Sequence, residues 1–174
     1  MSADLSTDRA DAVDPPAPRW LDHDEMHTWR AWLLSSMLLG ERLDRELTRG
    51  TGISTAYYEI LVQLSEAPDR SLRMSTLAER CLSSRSRLSH AVSRLQERGW
   101  IRREVCPEDG RGQFAVLTDE GFAALAAAAP LHVESVRTHL LDQLSPAQQA
   151  ALQDVGDTLI AHLGGPAVEA FPSV

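Results

Sequence analysis

Lysine is absent from this chain, and all 17 basic residues are arginine. Alongside so many alanines, that skew reads as the codon bias of a GC-rich genome more than as chemistry. Cysteine is scarce: Cys81 and Cys106 are too few for a disulfide framework. No apolar run is long enough to span a bilayer, and the N-terminus shows no basic-then-apolar leader. Residues 11–18 are acidic and proline-rich instead, the composition of a disordered arm. There is no nucleophile elbow, glycine-rich phosphate loop, metal-ligand cluster or carboxylate pair in apolar surroundings, so an enzyme is not expected. These absences predict a soluble, cytoplasmic chain with no cofactor and no membrane partner.

What is present is unevenly distributed. The 174 residues are near the size of one domain, and 43% hydrophobic content suffices for a core. A net charge of −8 looks wrong for a nucleic-acid binder, but between Arg70 and Gln113 ten arginines stand against five acids. The remainder holds seven arginines and twenty acids. A basic module on an acidic body can approach phosphate in one orientation only, because the body is repelled.

Helical spacing dominates both ends. Met26, Trp29, Leu33, Met37, Gly40, Leu43 and Leu47 recur at three- and four-residue steps, predicting a helix capped by Asp22 or Asp24 and reaching about Arg49. Ser54 is placed to cap a second helix, with Ile53 and Tyr58 as a hydrophobic staple, and Pro68 stops it. Toward the C-terminus, residues 118–120 start an alanine-rich helix that Pro130 should kink or break. Ser145, Pro146 and Gln148 then open a last helix striped by Leu152, Val155, Leu159 and Leu163.

The strongest chemical signal lies over 74–118. A short apolar-striped helix (75–82), with Thr76 and Glu79 at capping-box spacing, meets the polar turn Ser83-Ser84 and a second, Arg/Ser-rich helix (85–98). In that second helix Leu88, Ala91, Val92 and Leu95 form the buried stripe, while Ser86, His90, Ser93 and Glu97 point the other way. Gly99 is placed as a left-handed cap. Two strand-like runs, 100–105 and 113–117, follow around an Asp109-Gly110 turn. This outline is a winged helix-turn-helix, in which the second helix enters the DNA major groove. The fold class expected is mostly α with a small β-hairpin wing (α+β).

Within this outline Arg85, Arg87 and His90 are the candidate base-edge readers, since arginine forks onto guanine O6 and N7. Ser84, Ser86, Ser89 and Arg94 are candidates for phosphate contact. An ordinary solvated helix face is the bland alternative, and the absence of outward carboxylates before Glu97 argues against it.

Read in order, these elements resemble the MarR family of bacterial transcription regulators. The resemblance rests on Leu88, Leu95, Gly99, Trp100, Ile101 and Arg103, then on Pro107-Glu108-Asp109-Gly110-Arg111-Gly112 and Leu117-Thr118-Asp119-Glu120-Gly121. It implies one domain over 22–163, after an arm (1–21) and before a tail (164–174). The winged module would occupy about 54–118, flanked by dimerisation helices at 22–49 and 119–163. It further implies a homodimer whose two reading helices, ~34 Å apart, address an inverted repeat in double-stranded DNA as a repressor. In the wing, Asp109 would brace Arg111 in the minor groove; Gly110 stands where many relatives have a second arginine.

The resemblance also implies a cleft for a small aromatic or phenolic effector, for which Trp29, Trp32, Tyr57 and Tyr58 are candidate walls; core packing explains them equally. Other readings remain open. Cys106, beside arginines, could serve a thiol redox sensor, whereas Cys81 lies on a buried stripe. His23 and His27 have a spacing that can hold a metal, but no metal site is expected. A winged helix used purely for protein interaction is the remaining alternative.

Overall fold

A computed structural model describes residues 17–105 and 112–164 of the chain. The order of elements is α1 (His23–Thr51), α2 (Thr55–Ser65), β1 (Ser71–Arg73), α3 (Met74–Arg80), α4 (Arg85–Glu97), β2 (Ile101–Val105), β3 (Gln113–Leu117), α5 (Asp119–His139) and α6 (Pro146–Leu163). The chain divides into two compact units between Ser36 and Met37, inside α1.

In the first unit Asp22, not Asp24, caps α1. Its carboxylate accepts from the backbone N–H groups of Asp24 and Glu25, both at 2.8 Å, and Glu25 reaches back to the Asp22 N–H at 3.0 Å. These bonds satisfy donors that a helix start would otherwise leave unpaired.

The second unit holds the winged module. Ser54 caps α2, and the Asp44 carboxylate of α1 accepts from the Thr55 N–H at 2.8 Å, so α1 supplies a second acceptor to the start of α2. Leu61, Leu64, Leu77, Leu88, Val92, Leu95 and Ile101 are at most 1% exposed and form the core of the lobe. Each such burial contributes roughly 1.5–3 kcal/mol. Leu47 of α1 and Leu125 and Ala128 of α5 join the same cluster.

Three features depart from the sequence expectation. The wing is part of a three-stranded antiparallel sheet in the order β1-β3-β2, not a lone hairpin, with Leu72 opposite Ala115 and Arg103 opposite the same residue from the other side. Because β1 runs straight into α3, the helix begins at Met74 with Arg73 as its cap residue and no capping side chain. The Thr76–Glu79 box is therefore not used. Finally, α5 runs unbroken through Pro130. The missing N–H forgoes only the bond to the Ala126 carbonyl, and α5 is buried on both sides of the proline, at Leu125 and Ala128 before it and at Ser135 beyond it.

Other signals are realised as read. Gly99 adopts φ +76° and lets the Trp100 N–H reach the Leu95 carbonyl, closing α4. Ser145 and Gln148 form a reciprocal capping box on α6. Among the described residues, no helix is long and apolar enough to cross a membrane.

Candidate nucleic-acid interface

Helix α4 is the centre of the site. Ser84 sits in extended backbone as its cap, and the Ser84 hydroxyl accepts from the Arg87 N–H at 3.3 Å. Leu88, Val92 and Leu95 bury one stripe, which leaves Ser84, Arg85, Ser86, Arg87, His90 and Arg94 exposed. The guanidiniums of Arg85 and Arg87 and the imidazole of His90 have no hydrogen-bond or ion-pair partner among the described residues. An uncommitted guanidinium on a helix face keeps its donor fork for an external acceptor.

Arg94 differs from these. It donates to Glu97 at 2.9 Å, one turn on, and that hydrogen bond and charge hold its guanidinium still more firmly protonated. A phosphate would have to compete with Glu97 for it.

Ser89 and Ser93 are placed differently from the sequence reading. Both are half-buried on the flank of α4 that faces β2, where Arg103 engages them. The Arg103 Nη2 donates to the Ser89 carbonyl at 2.8 Å and to the Ser93 hydroxyl at 2.9 Å. Ser93 is thus not an outward residue, and the Ser89 hydroxyl, 3.4 Å from the same nitrogen, is turned toward the strand. Asp109, Arg111 and Cys106 lie outside the described residues.

Sequence reasoning missed two arginines that hold α4 from behind. Arg103 entered only as a motif position, although its alternation with the exposed Arg102 marks it as facing the helix. Arg98, at the C-terminal end of α4, donates to the Gly52 carbonyl at 3.1 Å and lies over the rings of Trp100 and Tyr57, at 5.0 and 5.8 Å. No local pattern announces either partner.

The candidate effector residues do not form one set. Tyr58 is 8% exposed and belongs to the lobe core, its ring 4.5 Å from that of His132. Burial raises the Tyr58 phenol and lowers the His132 imidazole from their ordinary pKa values. Packing accounts for Tyr58. Tyr57 is half-buried beneath Arg98, whereas Trp29 and Trp32 are about half-exposed on α1. None of the four lines the open hollow of about 470 Å³ found beside Leu141 and the start of α6.

Cys81 is half-buried against the core, and desolvation pushes its thiol up to about 11. Such a thiol is neutral at physiological pH and a poor nucleophile. Among the described residues the His23 ring bonds to the neighbouring Asp24 alone, and no group of three metal-ligating side chains occurs there.

Comparison with known proteins agrees with this geometry. A family model described as the MarR family matches residues 51–112. The transcriptional regulator HosA of Escherichia coli O111:H- is 34% identical over 92 residues, a stretch covering 53% of this chain and 66% of that protein. The match therefore spans just under two thirds of that curated relative. Sco3205, a MarR family transcriptional regulator from Streptomyces coelicolor solved in complex with DNA, is 47% identical with a TM-score of 0.79. That alignment covers 85% of this chain and 96% of Sco3205. AbsC from the same organism is 40% identical, also at a TM-score of 0.79, over 86% of this chain and all of its own (100%). These relatives are regulators and not enzymes, and with 47% and 40% identity over nearly the whole length of Sco3205 and AbsC, the chain belongs to the MarR family of transcriptional regulators.

Proposed function

We propose that this regulator binds an inverted-repeat operator as a cytoplasmic homodimer, represses by occupying it, and leaves when a small aromatic or phenolic effector binds. The observation that carries the DNA reading is the set of uncommitted donors, Arg85, Arg87 and His90, on the open face of a capped and packed helix. The DNA-bound state of Sco3205 supports it. Arg85, Arg87 and His90 read base edges, while Ser84, Ser86 and Arg94 contact phosphate. Asp109 and Arg111 are assigned to DNA binding by the family resemblance alone. Ser89, already engaged by Arg103, is assigned no DNA contact.

Two apolar surfaces support the dimer. In the single chain Trp29, Trp32, Leu33, Leu34, Met37 and Leu38 of α1 are 41–64% exposed. Val155, Leu159 and Leu163 of α6 are exposed as well. Exposed patches of this kind mark interaction sites, and a second copy would bury them. The effector acts by preferring one spacing of the two lobes over another, since a ligand shifts an equilibrium only by its differential affinity. Trp29 and Trp32, about half-exposed on α1, are candidate contacts for the effector.

The experiment is selection by the full-length protein from randomised duplexes of about 30 base pairs, room for two half-sites one turn apart. Enrichment of an inverted repeat, bound by a dimer in sedimentation with affinity falling steeply in salt, is the expected result. Arg87→Ala should cost ~1–3 kcal/mol on that repeat and relax preference at one base pair per half-site. Arg94→Ala should weaken all sequences alike. No enrichment, or no salt dependence, would leave a protein-interaction module as the better reading.

A further inference from the structure

We propose that Arg103 is a positioning residue for sequence reading: it sets the roll of α4 against strand β2 without itself serving as a DNA contact. The inference rests on the DNA-binding role proposed above.

The buried stripe of α4 consists of Leu88, Val92 and Leu95, and apolar contacts of this kind hold a helix down without strong directionality. Rotation about the helix axis is therefore the least restrained motion. Hydrogen bonds supply the missing direction. The Arg103 Nη2 donates to the Ser89 carbonyl at 2.8 Å and the Ser93 hydroxyl at 2.9 Å, with the Ser89 hydroxyl at 3.4 Å. The Ser93 hydroxyl in turn donates to the Ser89 carbonyl at 3.0 Å, so all three groups form one closed cluster.

At about 100° per residue, Ser89 and Ser93 lie on the flank between the buried stripe and the open face that carries Ser86 and His90. A clamp on that flank opposes roll directly. Its anchor is firm, because Arg103 pairs in the sheet with Ala115, which is 0% exposed. Among the described residues the Arg103 Nε is buried without a partner, which leaves Nη2 as the nitrogen seen to act. With side chains reaching ~6 Å from the axis, a roll of ~10° displaces a guanidinium by ~1 Å, enough to spoil a bidentate base contact.

Arg103 and α4 would then fail in a characteristic way. Losing a phosphate contact weakens all sequences and flattens the salt dependence. Losing the roll constraint degrades discrimination first, because phosphate contacts tolerate displacement better than paired base contacts.

The test uses full-length protein and a duplex selected by the parent, with the same duplex altered at one base pair per half-site and a scrambled duplex as comparators. Arg103→Met should lower discrimination between selected and altered duplex by about tenfold, the scale of one lost bidentate base contact. Affinity for the scrambled duplex and the salt slope should hold nearly constant. Ser93→Ala should move discrimination in the same direction by less, and adding it to Arg103→Met should change nothing further.

Arg103→Lys keeps the charge but carries it on a shorter, more flexible stem that does not bring a nitrogen to the Nη2 position making all three contacts, so it should also lose discrimination. Should Arg103→Met fail to fold by circular dichroism, Ser93→Ala and Arg103→Lys carry the decision. Unchanged discrimination in both overturns the proposal. Equal losses on selected and scrambled duplexes with a shallower salt slope also overturn it, making Arg103 a phosphate contact. If the parent enriches no duplex, the DNA reading itself falls; if it does and these variants discriminate normally, only the positioning role falls.

Discussion

Glu46 on α1 and Ser135 on α5 lie 89 positions apart in sequence and meet at 2.6 Å, the hydroxyl donating to the carboxylate. Ser135 is only 5% exposed, and the other Glu46 oxygen lies 2.9 Å from His139 Nε2, with Arg42 at 3.5 Å. These partners, the Ser135 bond foremost, hold the Glu46 carboxyl below the ordinary glutamate range. The C-terminal part of α1 and the end of α5 are therefore tied through a carboxyl whose partners favour its ionised form.

A carboxylate with a depressed folded pKa contributes stability that is present above its unfolded pKa and disappears as pH falls through the folded value. Glu46→Gln should therefore melt below the parent at pH 7. The difference should shrink as pH drops below the ordinary glutamate range. Thermal melts of both proteins between pH 7 and pH 3 would check this, and a constant difference across that range would refute the charged tie.

Gly121 begins α5 against the backbone of Trp100. A Cβ there would stand 2.2 Å from the Trp100 carbonyl oxygen and 2.8 Å from Leu117 Cδ1. That same oxygen accepts from the Thr118 N–H, so it cannot move away freely. Gly121→Ala should cost about 1–3 kcal/mol, as overpacking does, and urea denaturation would measure it. A neutral result would mean that α5 can shift relative to the turn after α4.

Leu82 closes α3 in a left-handed conformation, φ +46°, and is 82% exposed. Its N–H bonds to the Glu79 carbonyl, and the Ser83 N–H to that of Ala78, a helix ending that glycine adopts without strain. Leu82→Gly should thus raise stability by up to ~1 kcal/mol, visible as a few degrees in Tm. Destabilisation would show that the leucine side chain packs in the assembled protein.

Cys81 should resist alkylation. Its thiol, pushed up to about 11, is almost wholly protonated at pH 8, and the half-buried sulfur is shielded by the core. Iodoacetamide at pH 8 should leave it unmodified in the folded protein and label it in urea, as read by peptide mass spectrometry. Rapid native labelling would contradict the burial of the sulfur and its raised pKa.

Much of this molecule was legible along the chain because short-range chemistry produced it. The Leu88–Val92–Leu95 stripe, the Ser54 and Ser145 caps and the left-handed Gly99 depend on neighbours within one or two turns. So does the exposure of Arg85, Arg87 and His90, which follows from where the stripe is not.

Strand β1 escaped notice because three residues show too little alternation to distinguish a strand from a loop; its existence depends on pairing with β3, more than forty positions away. The Arg103 clamp, the Arg98 bond to Gly52 and the Glu46–Ser135 tie are of the same kind. Arginine, serine and glutamate are ordinary surface residues in any local window. Sequence alone therefore determined which helices form and which cations face outward, since periodicity and capping act locally. Only tertiary structure decided what holds those helices in place, because directional hydrogen bonds between distant residues exist only once the chain has brought donor and acceptor together.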